Sequence, residues 1–201
     1  MKGKKEQPAL SGTDERTLVG LFLAGDEKAF DEMVTRHQDA VYTLCVRIVG
    51  NHEDAGDCAQ DVFIKVYRNL KDFRFKSSLA TWIYRIAVNT CRNHLASAGR
   101  RSSDRTLSLD DGPAPGIVSG NYAPDSSFDP EVQFERKELE SLIMDSIGTL
   151  PEIQRELVIL RDMEGRSYDD IAQITGLRGG TIKSKLARAR QKLRERLEGK
   201  I

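Results

Sequence analysis

The sequence has no apolar stretch long enough to cross a membrane. Its longest run, Leu18–Ala24, is far shorter than the roughly 20 residues that a bilayer requires. The segment Met1–Gly12 is polar and carries lysines, and no apolar core follows it, so it does not read as a secretory signal peptide. We therefore expect a cytoplasmic protein with no direct membrane insertion.

Cysteine is scarce, and the spacing of the cysteines does not match that of a metal site. The three cysteines, Cys45, Cys58 and Cys91, are an odd number with no close pair. This spacing predicts neither a disulfide framework nor a zinc site. We expect buried or half-buried thiols in a reducing compartment.

Signatures of catalysis are missing as well. The sequence has no glycine-rich phosphate loop, no serine–histidine set and no cluster of metal-ligand type. The three histidines, His37, His52 and His94, are scattered along the chain. We therefore expect no enzyme: no catalytic residue, no cofactor, no metal and no small-molecule substrate.

A net charge of zero conceals a strong segregation of charge. Arg74–Arg101 carries six basic residues and no acid, and Thr181–Ile201 carries eight basic residues and two acids. Between them, Ser102–Glu135 has seven acids and one arginine. Two basic segments separated by an acidic one suggest two separate polyanion contacts, although solvated helix faces would give the same charge runs.

Apolar residues recur at spacings of three, four and seven, and alternating β-branched runs are nearly absent, so we predict an all-α protein. These apolar residues should form one inward-facing side of each helix, and Tyr67 and Leu139 are among the positions expected to face inward. The helices predicted in the first half are Glu15–Ala24 after a cap at Asp14, one between Asp26 and Gly50, Glu53–Leu70, and one from Ser77 or Ser78 to Ala98. Those predicted in the second half are Glu131–Ile147, Pro151–Met163, a helix between Ser167 and Gly176, and a last helix capped by Thr181.

One segment lacks any apolar period. Residues 102–130 hold four of the six prolines together with many serines and aspartates. Such a composition is typical of a flexible linker. We therefore predict two small helical domains, residues 14–99 and 131–199, joined by a flexible acidic linker over residues 100–130.

The last two predicted helices have the layout of a helix-turn-helix. A short helix, a turn at Gly176 and a second helix with outward basic residues match that motif, although an ordinary helical hairpin with a basic face has the same pattern. In a helix-turn-helix the second helix enters the major groove with its N-terminal residues near the bases. We expect Lys183 and Arg188 to contact bases, Ser184 and Lys185 to contact phosphates, and Lys192 to be peripheral.

Longer stretches resemble the extracytoplasmic-function sigma factors. The stretches similar to the fourth conserved domain of that family are Leu150–Leu157, Arg161–Tyr168 and Gly180–Arg190. Those similar to its second domain are Gly25–Phe30, Asp57–Lys65 and Thr81–Asn89. The stretch Phe73–Asn89 is similar to the sigma-E branch. The sequence departs from the family at Gly179, where a bulkier residue is usual, and at Ala187, where an aromatic residue or histidine is frequent.

The resemblance implies a function and assigns residues to it. A sigma factor binds core RNA polymerase and directs it to promoters. The residues implied in core binding are Asp57, Gln60, Asp61 and Phe63. Those implied at the melted minus-ten element are Phe73, Lys76, Trp82, Arg85, Asn89 and Arg92. Those implied at the minus-35 duplex are Thr181, Lys183, Ser184, Lys185, Arg188 and Lys192.

Two of these residues have a second interpretation, and so does the whole chain. Phe63 can belong to the core, and Phe73 can fill the gap between the third and fourth helices.

The family also implies an anti-sigma factor as a partner. The alternative function is a stand-alone helix-turn-helix transcriptional regulator, which requires an N-terminal receiver or sensor domain. Residues 14–98 lack the alternating strand–helix pattern of a receiver.

Overall fold

The structure, a computed structural model, describes residues 10–105 and 130–199, with side chains for 10–98 and 138–199. Helices and connecting turns make up the described chain, and no strand occurs within it. The helices are α1 (Glu15–Leu23), α2 (Glu27–Val49), α3 (His52–Asn69), α4 (Leu79–Arg105), α5 (Pro130–Gly148), α6 (Glu152–Val158), α7 (Tyr168–Thr175) and α8 (Gly179–Leu197). A short 3-10 turn, Leu70–Asp72, follows α3, and a π-helical turn, Ile159–Met163, follows α6. The all-α prediction is confirmed.

Side-chain caps confirm four of the predicted helix starts, and three of them lie in the first half of the chain. Asp14 accepts a hydrogen bond from the Thr17 amide at 3.0 Å, and Ser78 accepts one from the Thr81 amide at 3.0 Å. Asp26 caps α2 in the same way. These bonds satisfy amides that the first turn of a helix otherwise leaves unpaired.

The first four helices form one bundle, called here the N-terminal bundle (α1–α4). Its buried residues include Leu18, Leu44, Val62 and Ile83, one from each helix. The three cysteines are buried in the same core as free thiols, as expected. Hydrogen bonds with the other two thiols, together with burial, raise the pKa of Cys91.

The last four helices form the C-terminal bundle (α5–α8). Its centre consists of Leu157, Ile171, Ile182 and Leu186, all at most 1% exposed. The two bundles are in contact, because α4 packs against α7. This contact brings the predicted DNA-binding side of α4 next to the helix-turn-helix.

Several predicted boundaries are wrong. Helix α4 does not end at Ala98 but continues to Arg105, through the first residues of the predicted linker. Pro151 is the cap of α6 rather than its first helical residue, since its backbone is extended (ψ 142°). Helix α8 begins at Gly179, so Thr181 lies in its first turn and does not cap it. The rest of the predicted linker, 106–129, lies outside the described residues.

Two predicted inward residues are exposed. Tyr67 is 46% exposed because it lies at the edge of an aromatic cluster with Phe22 and Phe30, with ring centroids 5.1 and 5.0 Å away. Leu139 is 39% exposed, near the start of the part of α5 whose side chains are described. The apolar period identifies one side of each helix, but only the packing decides how wide a stripe is covered.

Candidate nucleic-acid interface

The outward face of α8 carries the predicted basic residues. Its inward side is anchored by Ile182, Leu186 and Ala189, each at most 1% exposed. Four of the six predicted minus-35 residues are exposed, and Thr181 and Lys185 are partly buried. The four exposed residues are Lys183, Ser184, Arg188 and Lys192. The structure therefore presents one cationic surface along the first four turns of this helix.

Helix α7, which leads into the turn before α8, has a side-chain cap at its start and a glycine at its end. Ser167 caps α7 by accepting a hydrogen bond from the Asp170 amide at 3.0 Å. Gly176 ends α7 in the left-handed conformation, at φ +74°, where a Cβ atom is unfavourable. Gly179 has an ordinary φ, and a Cβ added there would meet nothing within 4 Å. The departure at Gly179 is thus not required by backbone geometry.

Two cations of α8 have partners within the C-terminal bundle. Arg190 donates two hydrogen bonds to the Asp162 carboxylate, at 2.5 and 3.2 Å. The hydrogen bond with Asp162 raises the pKa of the Arg190 guanidinium. The Lys183 ammonium lies 5.8 Å from the centre of the Tyr168 ring. Arg190 is therefore oriented by Asp162, on the side of the helix away from Lys192.

A second basic site lies in the loop before α4 and at the start of that helix. There a pocket of about 400 Å³ opens between the loop and α7. Four of the predicted minus-ten residues, Phe73, Lys76, Trp82 and Arg85, meet at this pocket. The full lining is Asp72, Phe73, Arg74, Lys76, Ser77, Thr81, Trp82, Arg85 and Gln173.

Aromatic rings form one side of this site. Phe73 is 7% exposed and Trp82 is 8% exposed, and their ring centroids are 5.2 Å apart. Burial supports the interpretation of Phe73 as a residue that fills the gap before α4, while one edge still lines the pocket. Phe75 packs against Phe73 at 4.7 Å and is 37% exposed. Its φ of +53° is unusual for a residue with a side chain and costs of order 1 kcal/mol.

Sequence reasoning missed Phe75 as an exposed ring. The Arg16 guanidinium lies 4.7 Å from the centre of that ring, so α1 also contributes to the site. The sequence signal was the Phe-Arg-Phe triplet, which contains two aromatic residues around a cation. The distance of 59 residues between Arg16 and Phe75 left no sequence signal for their contact.

The remaining predicted minus-ten residues lie further along α4. Asn89 is exposed, one helical turn beyond Arg85, and is outside the pocket lining. Arg92 is not free, because its guanidinium is hydrogen-bonded to the Glu156 carboxylate of α6. The hydrogen bonds that Arg92 donates to Glu156 raise the pKa of the Arg92 guanidinium.

The predicted polymerase-binding side chains lie on α3. Asp57, Gln60 and Asp61 are exposed, as expected from the inward positions of Val62 and Val66. Phe63 is partly buried and packs against the core. A residue that sequence reasoning missed, Ile64, is 41% exposed on the same side. An exposed isoleucine among acids and an amide gives this surface an apolar centre.

The described residues include neither a candidate metal site nor a candidate membrane-spanning helix. Within residues 10–105 and 130–199, no group of three or more His, Cys, Asp or Glu is placed to hold a metal ion. In the same part of the chain, no helix is long and apolar enough to cross a membrane.

Comparison with known proteins identifies both bundles. Residues 33–101 match the family model of sigma-70 region 2, and residues 140–193 match that of sigma-70 region 4. The RNA polymerase sigma-H factor of Pseudomonas aeruginosa is 38% identical over 189 residues, which cover 94% of this chain and 96% of that protein. The ECF RNA polymerase sigma-E factor of Escherichia coli strain K12 is 38% identical over 186 residues, covering 92% and 94%.

A solved structure has a similar arrangement of helices. The sigma factor RpoE of Bartonella quintana, in complex with the anti-sigma factor NepR, matches at a TM-score of 0.67 and 27% identity. The match covers 86% of this chain and 98% of RpoE. With regions 2 and 4 in order and near-complete overlap with two curated relatives, the chain belongs to the extracytoplasmic-function sigma factors of the sigma-70 family.

Proposed function

We propose that this chain binds core RNA polymerase and directs it to specific promoters. The observation that supports this most strongly is the pairing of two separate cationic sites with the region 2 and region 4 matches. One site is an exposed helix face suited to a duplex groove. The other is a pocket of aromatic rings and cations suited to unpaired bases and their phosphates.

The helix-turn-helix would read the minus-35 duplex through α8. Arg188 can fork onto a guanine, whereas Lys183 offers a single charge to a guanine or a phosphate. Ser184 and Lys185 would hold phosphates, with Thr181 at the start of the helix and Lys192 at the periphery. All of these except Thr181 and Lys185 are exposed, which favours these roles.

The pocket before α4 would receive the melted minus-ten strand. A base stacked beside Trp82 would lie near the cations of Lys76 and Arg85, which line the same pocket. Asn89 presents both a donor and an acceptor on the exposed side of α4 and so can read a base edge.

The exposed side of α3 would bind the polymerase. Asp57, Gln60 and Asp61 lie there with Ile64, and Phe63 supports them from the half-buried side. We further propose the domain division 14–99 and 131–199 around a linker, action in the cytoplasm with the polymerase, no catalytic activity, and inhibition by an anti-sigma factor. RpoE of Bartonella quintana has such a partner in NepR.

Run-off transcription with purified core polymerase tests the proposal. We expect specific transcripts only when the chain is added, and we expect the core enzyme to co-purify with it. Asn89→Ala should impair open-complex formation on matched templates more than on pre-melted templates lacking the specific base. A chain that binds duplex DNA alone but never co-purifies with core polymerase would instead be a stand-alone regulator.

A further inference from the structure

We propose that Cys58 and Cys91 form an oxidisable thiol pair, which hydrogen peroxide converts to a disulfide between α3 and α4. Neither the proposed polymerase surface nor the proposed DNA sites include these thiols. The modification itself depends only on how the N-terminal bundle packs. Its effect on polymerase binding rests on the proposed function of α3.

The two thiols face each other where α3 packs against α4. Cys58 and Cys91 share a hydrogen bond between their thiols. One helical turn towards the start of α3, the His94 imidazole of α4 lies 3.3 Å from the Asp54 carboxylate. Asp54 precedes Cys58 by four residues, and His94 follows Cys91 by three, so each helix contributes both of its side chains from one face. The two contacts are therefore neighbours, and the sulfurs are within reach of each other.

The outer of these two contacts lies at the surface. The Asp54 side chain is 42% exposed and that of His94 is 22% exposed, whereas Cys58 is 2% exposed and Cys91 is fully buried. Cys58 thus lies one helical turn beneath a solvent-exposed contact. Local opening of the first turns of α3 is enough to admit a molecule as small as hydrogen peroxide.

The surroundings of Cys58 favour its thiolate, which is the nucleophilic form of a cysteine. The hydrogen bond with Cys91 lowers the pKa of Cys58 and His94 adds to this effect, whereas burial and two nearby carboxylates oppose it. The pKa of Cys91 is instead raised, by its hydrogen bonds with the other two thiols and by burial. The pair therefore combines one thiol suited to attack peroxide with one that stays protonated.

The reaction consumes two thiols and one peroxide and yields one disulfide and two waters. The Cys58 thiolate attacks one peroxide oxygen, the O–O bond breaks, and Cys58 becomes a sulfenic acid while the departing hydroxide takes up the Cys58 proton as water. The Cys91 sulfur then attacks the Cys58 sulfur, and the hydroxyl leaves with the Cys91 proton as the second water. Two electrons pass from the sulfurs to the peroxide oxygens. In a reducing compartment such disulfides are usually transient and redox-sensing.

The disulfide would act on the proposed polymerase surface from its inner side. Asp57 and Asp61 are close to Cys58 in the chain and are exposed on α3. Bonded sulfurs lie closer together than hydrogen-bonded thiols, so oxidation draws this part of α3 towards α4. A close-packed interior transmits such a shift to the surface of the helix. Oxidation therefore weakens polymerase binding, and reduction restores it.

Mass spectrometry of the folded full chain tests the modification. The three cysteines fall in separate tryptic peptides, residues 37–47, 48–65 and 86–92. The reduced chain is treated with hydrogen peroxide, the remaining thiols are alkylated under denaturing conditions, and the digest is analysed without reductant. We expect a disulfide between peptides 48–65 and 86–92, with Cys45 alkylated. Full alkylation of all three cysteines, or a main product linked through Cys45, overturns the proposal.

Matched variants test the order of attack. Cys58→Ala should abolish the link, whereas Cys45→Ala removes a thiol from the same cluster and should form the link within about twofold of the original rate. Where the core variants do not fold, His94→Gln changes a partly exposed side chain and should slow the link about threefold, because it removes an imidazole that favours the Cys58 thiolate. An unchanged rate in His94→Gln would contradict Cys58 as the attacking thiol.

Co-purification with core polymerase tests the consequence. The chain is treated with peroxide and desalted before the polymerase is added. The oxidised original chain and oxidised Cys45→Ala should bind about fivefold or more weakly than their reduced forms, and dithiothreitol should restore binding. Cys58→Ala should bind equally before and after treatment. A complete link with unchanged binding overturns the regulatory effect. A reduced chain that never binds core polymerase would contradict the proposed function, whereas the linked peptides would still report on the thiol pair.

Discussion

At the scale of single residues, two nearby glycines differ in what their backbone requires. Gly176 ends α7 at φ +74°, a conformation that side chains rarely adopt, whereas Gly179 starts α8 with an ordinary φ and open space around it. The sequence pattern predicts a glycine turn but does not distinguish between the two. Only the backbone angle reveals which glycine the turn needs.

Alanine substitution separates these two glycines. Gly176→Ala should lower the free energy of unfolding by about 1–2 kcal/mol, because a Cβ atom is strained in the left-handed region. Gly179→Ala should leave that free energy within about 0.5 kcal/mol of the original. Urea unfolding followed by circular dichroism measures both. Equal losses at the two positions would show that the turn depends on something other than φ.

The Asp170 carboxylate makes the stability of the fold depend on pH. The hydrogen bond from the Ser167 hydroxyl, with help from Thr81, lowers the pKa of the Asp170 carboxyl. Because the folded pKa lies below the unfolded value of about 3.9, the carboxylate stabilises the fold above that pH, and the benefit is lost as pH falls through the folded pKa. Asp170→Asn should therefore be less stable than the original near pH 7, and the difference should shrink below about pH 4.

The neighbouring residue provides the control for this pH effect. Asp169→Asn changes the same charge at an exposed position one residue earlier. Its difference from the original chain should vary little with pH compared with that of Asp170→Asn. Urea midpoints between about pH 3 and pH 7 measure both variants, and parallel curves would contradict the assigned role of Asp170.

At the scale of elements, the amphipathic helices were predictable because their signals are local. Caps at Asp14, Asp26 and Ser167 follow from side chains within three residues of the amides that they satisfy. The end of α4 was not predictable in the same way. Gly99 and the polar residues after it favour a helix end, yet the helix continues to Arg105.

Helix α3 supports a prediction about polymerase binding. Asp61 is exposed, so Asp61→Arg should change the free energy of unfolding by less than about 0.5 kcal/mol while weakening core polymerase binding. Asp39→Arg, at an exposed position of α2, is the matched control for charge. Co-purification and thermal melting measure the two effects. A large drop in melting temperature would mean that Asp61 is structural.

Helix α8 supports a prediction about promoter choice. Arg188→Ala should cost about 1–3 kcal/mol at the minus-35 element and relax its sequence preference, because a forked guanine contact is lost. Lys185→Ala should weaken all promoters alike and reduce the salt slope by about one, because it removes one phosphate contact. A promoter library assayed at several salt concentrations distinguishes the two. If Arg188→Ala leaves the ranking unchanged, the proposed docking of α8 is wrong.

At the scale of the whole molecule, the sequence predicted the helices and the two basic sites, but it did not predict the contacts between the two bundles. Charge segregation and helix patterns located two basic sites, and four of the six minus-ten candidates do share one pocket. The contacts between the bundles join residues 64 to 117 positions apart, such as Arg92 with Glu156 and Arg47 with Glu164. Periodicity and capping are local rules, so they carry no information about such pairs.

The same contacts predict how the molecule loses structure. The C-terminal bundle has a small core of its own and gains support from α4 through Glu156 and Glu164. In the Glu156→Gln/Glu164→Gln variant, amide hydrogen exchange should accelerate in α6 and α7 about tenfold or more, and much less in α2 and α3. Glu138→Gln/Asp145→Asn, which removes the same charge from exposed positions of α5, should exchange like the original chain. Equal acceleration in both bundles would mean that the molecule opens as one cooperative unit, with no separate stability for the helices that Glu156 and Glu164 join to α4.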